Sequence, residues 1–444
     1  MTAEHDPTAT LLATLSGADR PGVTSRLFTS LDGLDVAVLD VEQVVVRGHL
    51  TLAVLLAAGD RTGDVGARIA AVARDLGMTV TTSLGTGDPG RNRTGRAAVV
   101  ALGQPLTARA VSAITATVAG SGANIDRIRR LSRYPVTTIE FDVSGADVTA
   151  LRRELARISA RERVDVAVSP SGLARRGRRL VVLDVDSTLI QDEVIELLAA
   201  HAGRAAEVHA VTEAAMRGEL DFTESLHRRV AVLRGLPESV LDAVADQVRL
   251  TPGARTLVRT LHRLGFTVAL VSGGFTPIVR AIAADLGIRH VRANDLEVVD
   301  GTLTGHVLGT VVDRAGKAAA LREFAAAEGL PLSRTVAIGD GANDLDMLQA
   351  AGLGVAFNAK PVVRDQAHTS VNVPYLDTVL FLLGISREEI EEADRVSDPA
   401  DAQESQVHQG QVHQSPDHQS PDDSSPDQPG PDHPGPDHSG AVRT

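Results

Sequence analysis

One stretch near the middle of the chain reads Leu180-Val181-Val182-Leu183-Asp184-Val185-Asp186-Ser187-Thr188. Its short apolar run, rich in β-branched residues, predicts a buried strand of a parallel sheet. Two aspartates then lie at the carboxyl end of this strand, where open α/β sheets bind their ligands. Because close carboxylates repel each other, we expect a cation beside them, and Mg²⁺ is a hard cation that prefers oxygen ligands. The alternative is an aspartate-rich turn that caps the next helix.

Three later segments carry residue types that bind phosphate or metal. A predicted strand over 266–271 ends in Ser272-Gly273-Gly274, where a hydroxyl and amides at a helix N-terminus suit a phosphate. Lys317 stands at the beginning of another predicted helix. A predicted strand over 335–338 ends in Gly339-Asp340-Gly341-Ala342-Asn343-Asp344, whose carboxylates suit Mg²⁺. Taken singly, these segments are also explained as a glycine turn, a surface lysine and a helix cap.

In this order, the four segments resemble the four motifs of the haloacid dehalogenase (HAD) superfamily. The resemblance implies that Asp184 attacks phosphorus and forms an aspartyl-phosphate. It implies that Asp186 protonates the leaving alkoxide and later deprotonates a water molecule. It further implies that Lys317, Ser272 and Gly273 hold and neutralise the phosphoryl oxygens.

The same resemblance implies a magnesium site. Its ligands would be the carboxylate of Asp184, the backbone carbonyl of Asp186 and the carboxylate of Asp340. Asn343 and Asp344 would support the metal, the attacking water and the substrate. Charge balance is the physical reason for a cation, because a carboxylate that attacks a phosphate dianion otherwise meets strong repulsion.

The segment between the first two motifs, at about residues 190–250, predicts four helices that would form a cap over the site. It carries Glu193 and the pattern M-x-G-x-x-x-F-x-x-S-L-x-x-R, which contains Met216, Phe222 and Arg229. These features resemble phosphoserine phosphatases. The resemblance implies that Glu193 contacts the substrate ammonium and Arg229 its carboxylate, while Met216 and Phe222 line the pocket. The alternative for Glu193 and Arg229 is an exposed charge pair on helices.

Two stretches before these motifs share one layout. Residues 9–84 and 97–169 each predict the element order βαββαβ, which is the ferredoxin-like topology. They are the two predicted N-terminal domains, and either of them alternatively serves only as a dimer interface.

The first copy contains a candidate effector site. Its loop Gly17–Val23 includes Asp19, Arg20 and Gly22 and resembles the signature loop of ACT domains, which often sense amino acids. The glycines permit close backbone approach, and the N-terminus of the next helix suits a carboxylate. The alternative is a tight turn without a ligand. In the second copy the corresponding loop, residues 103–107, departs from the pattern.

Composition limits the functions open to this chain. The net charge of −13 and the aromatic content of 2% argue against nucleic acid as a partner. The chain has no cysteine, so disulfides and thiolate chemistry are excluded and a reducing cytoplasm is favoured. Its N-terminus lacks the features of a signal peptide, and no apolar stretch is long enough to span a membrane. We therefore expect a cytoplasmic protein without a membrane partner.

Changes in composition predict where the domains begin and end. The acidic C-terminal stretch, rich in Pro, Asp and His, has too few apolar residues to fold and is predicted to be disordered. The predicted segments are a flexible N-terminus at 1–8, linkers at 85–96 and 170–178, a core at 179–393 and the disordered tail at 394–444.

Together, these observations predict an α/β protein. Its HAD core, a Rossmann-like parallel sheet with a helical cap, follows two ferredoxin-like, ACT-like domains. The resemblance to phosphoserine phosphatases implies Mg²⁺-dependent hydrolysis of O-phospho-L-serine to L-serine and phosphate, the last step of L-serine biosynthesis. We expect a homodimer or higher homo-oligomer, with regulation by a small amino acid effector.

Two other functions remain open from the sequence. One is a HAD phosphatase or phosphotransferase that acts on another phosphorylated amino acid or on phosphoprotein, which a substrate panel would distinguish. The other is a non-catalytic amino-acid sensor, against which the intact Asp186 and Lys317 argue.

Overall fold

The computed structural model describes residues 9–34, 36–86, 95–133, 135–172, 175, 177–216 and 221–397. The chain divides into two compact units, Met1–Arg93 and Thr94–Thr444. The predicted flexible N-terminus, most of the first predicted linker and most of the predicted tail lie outside the described residues. No helix among the described residues is long and apolar enough to cross a bilayer.

The first unit is a four-stranded antiparallel sheet covered by two helices, with the strand order β2-β3-β1-β4. Apolar residues alternate along the two central strands of the sheet, and this alternation gives each of them one buried side. Leu50, Leu52, Val54 and Leu56 of β3 are buried in one hydrophobic cluster with Ile69 of the second helix. The predicted ferredoxin-like topology is confirmed, since the elements run β1 (Ala9–Ala18), α1 (Val23–Ser30), β2 (Ala37–Val46), β3 (His49–Ala57), α2 (Thr62–Asp75) and β4 (Thr79–Thr86).

The second copy of this topology belongs to the second unit. Its elements are β5 (Ala97–Gly103), α3 (Ala108–Gly120), β6 (Asn124–Ser132), β7 (Thr137–Ser144), α4 (Val148–Glu162) and β8 (Asp165–Pro170). Both faces of β5 are buried. Val99 and Ala101 pack with the helices of this copy, whereas Val100 and Leu102 join the hydrophobic cluster of the following domain. The second copy is therefore docked on its neighbour through one face of its sheet.

The following domain is built on a seven-stranded sheet with the order β12-β11-β10-β9-β13-β14-β15. All neighbouring strands are parallel except β11 and β12. The strands are β9 (Leu180–Leu183), β10 (Thr267–Phe275), β11 (His290–Val299), β12 (Thr302–Leu308), β13 (Thr335–Gly339), β14 (Leu353–Phe357) and β15 (Thr369–Val371). This arrangement confirms the predicted α/β core.

Five described α-helices lie between β9 and β10 in the chain, and the first four correspond to the four that the sequence predicted for the cap. These four are α5 (Val194–His201), α6 (Ala205–Met216), α7 (Phe222–Ala231) and α8 (Val240–Ala245). The remaining helices are α9 (Ala254–Arg263), α10 (Thr276–Asp285), α11 (Arg314–Ala327), α12 (Leu345–Ala350), α13 (Pro361–Arg364), α14 (Val379–Leu382) and α15 (Arg387–Ser397).

The central strand β9 explains where the polar motif residues meet. Its four residues are fully buried, with Val181 and Leu183 in one cluster and Leu180 and Val182 in the cluster on the other face. Leu183 pairs with Leu270 on one side and Ile338 on the other. Because these strands are parallel and in register, the residues that follow them reach the same edge of the sheet.

Strand β8 of the second copy lies against β15 of the core sheet through a buried polar cluster. Asp165 accepts hydrogen bonds from Ser370 Oγ at 2.9 Å, from Asn372 N at 2.8 Å and from Asn372 Nδ2 at 2.5 Å. Thr369 Oγ1 donates to Val166 O at 2.9 Å. Burial raises the pKa of Asp165, although these hydrogen bonds oppose the shift. The cluster fixes the register between the two sheets.

The last described helix, α15, continues to Ser397, beyond the predicted end of the core at Ala393. Asp394 explains this extension, because its carboxylate pairs with Arg259 at 2.7 Å and with Arg263 at 2.5 Å on α9.

Candidate active site

Asp184 and Asp186 lie where β9 ends and the chain turns towards the cap. Asp184 N donates to Ile338 O at 2.9 Å, which extends the sheet pairing by one residue. The turn that follows has Ser187 in the left-handed region, at φ 56°. Asp186 accepts a hydrogen bond from Val194 N at 2.8 Å, so its carboxylate is fixed by the start of α5.

Lys317 occupies the centre of the site. Its side chain is completely buried, and its Nζ lies 2.7 Å from Asp184 Oδ1 and 2.7 Å from Asp344 Oδ1. The other carboxylate oxygen of Asp344 accepts from Gly341 N at 2.9 Å. Burial alone would lower the pKa of Lys317, but the two adjacent carboxylates outweigh this effect and raise it. Lys317 therefore carries a positive charge that the site itself maintains.

The surrounding carboxylates exceed what one lysine can neutralise. Oxygens of Asp184, Asp340 and Asp344 lie within 4.8 Å of one another. Burial and the Asp344 charge raise the pKa of Asp184 well above its usual range, and the same causes raise the pKa of Asp340 to about 6. An excess of close oxygen ligands with unbalanced negative charge is the environment that a hard divalent cation binds.

The glycine loop after β10 packs directly against Asp186. Ser272 Oγ donates to Asp186 Oδ2 at 3.0 Å and accepts from Gly274 N at 2.7 Å. Ser272 is fully buried, so in this structure it orients Asp186 and the loop, whereas Gly273 and Gly274 line the cavity. A Cβ atom at Gly274 would lie 2.9 Å from Asp186 Oδ2, which explains why the position needs glycine.

A cavity of about 800 Å³ opens above these groups and is partly closed by the cap. Among the predicted site residues, the cavity brings together Asp184, Asp186, Glu193, Phe222, Arg229, Gly273, Lys317, Asp340 and Asn343. The side chain of Met216 lies outside the described residues. Arg314 and Lys360 also line the cavity, and the sequence analysis did not single them out.

Glu193, which directly precedes α5, and Arg229 on α7 both face the cavity. Burial and then the charge of Asp186 raise the pKa of Glu193 to about 7, and Ser187 Oγ donates to this carboxylate at 2.6 Å. Burial lowers the pKa of Arg229, against the pull of Glu193 and Asp186. Among the described residues, no carboxylate lies within ion-pair distance of Arg229. The pair thus offers opposite charges at separate positions in one cavity.

Three family models match the chain: a haloacid dehalogenase-like hydrolase over residues 181–349, and an ACT domain over residues 9–83 and again over 96–169. A phosphoserine phosphatase of Streptomyces coelicolor is 59% identical over 391 residues, which cover 88% of this chain and 95% of that protein. The chain belongs to the phosphoserine phosphatase family. Phosphoserine phosphatase SerB2 of Mycobacterium tuberculosis is 53% identical over 403 residues, which cover 88% of this chain and 98% of that protein.

Two solved structures are similar to most of the catalytic part of this chain. A HAD family hydrolase of Salmonella enterica matches with a TM-score of 0.56 and 29% identity, over 65% of this chain and 98% of that one. A probable phosphoserine phosphatase of Vibrio cholerae matches with a TM-score of 0.51 and 35% identity, over 66% of this chain and 88% of that one.

The two ACT domains of this enzyme differ at the predicted ligand loop. In the first, Gly22 adopts φ +90° at the start of α1, and no atom lies within 4 Å of the position that a Cβ would take. Asp19 and Arg20 are exposed beside it, and Asp19 N donates to Gly48 O at 2.8 Å. The glycine that begins each loop is crowded in both copies, since a Cβ at Gly17 would lie 2.8 Å from Met78 Cγ and a Cβ at Gly103 would lie 3.0 Å from Leu106 Cα. The difference between the two loops is the glycine at the start of the helix, which the first copy has at Gly22 and the second replaces with Thr107, the residue before α3.

The sequence analysis missed one orienting contact in the site. Thr188 Oγ1 donates to Asp340 Oδ1 at 3.0 Å and so links the end of β9 to the end of β13. The presence of Thr188 in the first motif could have indicated a polar role for this side chain. Its partner could not be predicted, because it depends on which strands are neighbours in the sheet.

Lys317→Met should lower the free energy of unfolding of the metal-free enzyme by about 3–5 kcal/mol at pH 7, because buried carboxylates lose their cation. The deficit should shrink at pH 5. Buried acids with a raised folded-state pKa contribute stability when protonated, and this contribution is lost as the pH rises through that pKa. Urea denaturation at both pH values measures the effect.

The control is Arg280→Met, which replaces an exposed cation and should change stability by less than about 0.5 kcal/mol at either pH. An equal deficit for Lys317→Met at pH 5 and pH 7 would contradict the charge-balance explanation.

Proposed function

We propose that the enzyme hydrolyses O-phospho-L-serine with Asp184 as the nucleophile, in the cytoplasm, as the last step of L-serine biosynthesis. The observation that carries this proposal is one cavity in which a buried lysine and carboxylates lie below a cap that presents Glu193 and Arg229. The lower groups suit a phosphoryl group, and the upper pair suits the ammonium and carboxylate of an amino acid.

The proposed reaction has two steps. An oxygen of Asp184 attacks phosphorus, and the P–O bond to serine breaks as Asp186 gives a proton to the leaving alkoxide. Burial raises the pKa of Asp186, which favours the protonated form that this step requires. Water then attacks the aspartyl-phosphate while the Asp186 carboxylate takes its proton, so that phosphate leaves and Asp184 is regenerated.

We propose that Mg²⁺ completes the site. The oxygens of Asp184 and Asp340 suit direct ligation, with the Asp186 carbonyl as a third ligand, because the oxygens of Asp344 already accept from Lys317 and Gly341. When bound, Mg²⁺ would neutralise the carboxylates and the phosphoryl oxygens during attack. Thr188 Oγ1 donates to Asp340 Oδ1 at 3.0 Å, which orients the Asp340 carboxylate and leaves its other oxygen for a metal.

Release of phosphate from O-phospho-L-serine should require Mg²⁺ and should stop when a chelator removes it. Asp184→Asn should lower kcat by at least about a thousandfold, because an amide does not attack phosphorus. A colorimetric phosphate assay measures both, with phosphothreonine, homoserine phosphate and a phosphopeptide as competing substrates. Faster turnover of any of these would contradict the substrate assignment, and an active Asp184→Asn variant would contradict the nucleophile.

Recognition of the amino acid part is assigned to Glu193 and Arg229. Arg229 is largely buried, and its Nε lies 3.4 Å from Ser225 O, so its guanidinium has donors left for a carboxylate. Glu193 would receive the substrate ammonium, whose charge favours the ionised carboxylate over the protonated form. Phe222 forms an apolar wall of the cavity beside Gly273. A Cβ at Gly273 would lie 3.1 Å from the ring of Phe222.

Arg229→Ala should lower kcat/KM for O-phospho-L-serine by about 30- to 700-fold, the equivalent of about 2–4 kcal/mol for a lost charge-assisted contact. It should change kcat/KM for p-nitrophenyl phosphate much less, because that substrate has no carboxylate. Steady-state kinetics on both substrates measure the difference.

Arg228→Ala is a matched control, because Arg228 is the exposed neighbour and pairs with Glu224 at 2.6 Å. It should leave both substrates nearly unaffected. Equal losses on both substrates for Arg229→Ala would make Arg229 a structural residue.

We propose further that a small amino acid such as L-serine binds the Gly17–Val23 loop and regulates a homodimer. The ACT domain match over residues 9–83 and the positive φ of Gly22 at the start of α1 support the ligand. The dimer is supported by edge strand β2, where Val44 and Val46 are more than half exposed and the outer backbone edge is unpaired within the described sheet.

L-serine should then change kcat at saturating O-phospho-L-serine, and Gly22→Val should abolish this effect, because a β-branched residue strains the backbone at φ +90°. Gly33→Val provides the control, since Gly33 also has positive φ but lies after α1. Both variants should sediment as dimers. A purely competitive serine effect, unchanged in Gly22→Val, would contradict the effector site, and a monomer mass would contradict the dimer.

A further inference from the structure

Asn294 is a buried polar residue beside the active site that the proposed reaction does not use. It lies on β11 with a relative exposure of 1% and pairs with Phe275 of β10. The register of this pairing shifts between Val271 and Phe275, so the Ser272–Gly274 loop leaves the regular ladder.

The side-chain amide of Asn294 makes hydrogen bonds where the backbone pairing between β10 and β11 is interrupted. Its Nδ2 donates to Gly273 O at 2.8 Å, and its Oδ1 accepts from Val312 N at 2.8 Å. The two partners need opposite ends of the amide, so only this orientation satisfies both. One buried side chain thus joins two backbone segments that are 39 positions apart in the sequence.

Both segments carry groups for the phosphoryl oxygens. Gly273 lines the cavity. Val312 precedes Asp313, whose side chain caps α11 by accepting from Gly316 N at 2.8 Å. The carbonyl of Asp313 accepts from Lys317 N at 2.8 Å. The amide of Asn294 is therefore a short link between the glycine loop and the helix that holds Lys317.

We propose that Asn294 is a positioning residue for phosphoryl transfer, because its amide sets the spacing between the Gly273 loop and Lys317. It does not touch the substrate. A displacement of about 1 Å between groups that stabilise a transition state costs about a hundredfold in rate. The inference rests on the proposed function for the phosphoryl group, but it is independent of which alcohol the phosphate is attached to.

Other side chains of similar size do not provide this link. Leucine has nearly the same shape but leaves both backbone groups buried without a partner. An ionised aspartate still accepts from Val312 N but places negative charge against Gly273 O. Leucine therefore removes both hydrogen bonds of the Asn294 amide, whereas aspartate removes only the hydrogen bond to Gly273 O.

Kinetics of the full-length Asn294→Leu and Asn294→Asp variants test the proposal, with O-phospho-L-serine and p-nitrophenyl phosphate as substrates and saturating Mg²⁺. We expect kcat to fall about 10- to 100-fold for both substrates, while KM changes less than about threefold. Thr276→Val is the matched control, because it removes the hydrogen bond from Thr276 Oγ1 to Asn294 O at 3.2 Å and leaves the amide intact. It should keep kcat within about twofold.

Three results would overturn the proposal: a folded Asn294 variant with kcat within about twofold of wild type, a rise in KM without loss of kcat, or an equal loss of kcat in Thr276→Val. Circular dichroism establishes which variants are folded, and Asn294→Asp carries the test if Asn294→Leu does not fold. If the wild-type enzyme hydrolyses p-nitrophenyl phosphate but not O-phospho-L-serine, the substrate assignment is wrong. The role of Asn294 is then still tested by comparing kcat of the variants and the wild type on p-nitrophenyl phosphate.

Discussion

The ammonium of Lys317, enclosed between Asp184 and Asp344, is the interaction on which the rest of the catalytic domain depends. All three groups are buried, and burial of charge is tolerated only when the charges are paired at close range. Strand β9, the loop after β13 and helix α11 must therefore meet at one point for the domain to be stable. The same pairing holds the nucleophile, so the core and the active site share one set of constraints.

Much of this arrangement follows from the sequence. The strand before Asp184 is continuously apolar, and the other motifs also follow short apolar strands or open helices, so their convergence at one sheet edge was predictable. The sequence also predicted the βαββαβ order of both N-terminal copies and the four cap helices. It predicted as well that Glu193 and Arg229 line the cavity. These features depend on periodicity and on local motifs.

Other features were not predictable because they depend on which distant residues become neighbours. Thr188 reaches Asp340 across 152 positions. Asn294 reads in the sequence as an ordinary strand residue, and only the register shift of β10 gives its amide a role. Ser272 remains a predicted phosphate-binding residue, and its hydrogen bonds with Asp186 and Gly274 could not be predicted from the sequence.

The contact of β8 with β15 makes the two ACT domains unequal for protein engineering. The first belongs to a separate compact unit, Met1–Arg93. An exchange of this ACT domain for another sensor domain is therefore best joined at the boundary between the two units. The second shares a hydrophobic cluster with the catalytic domain through Val100 and Leu102, and Asp165 satisfies Ser370 and Asn372. A chimera joined at residues 170–178 would have to rebuild that buried surface. In this enzyme the second ACT domain is in effect an outer layer of the catalytic domain rather than an exchangeable attachment.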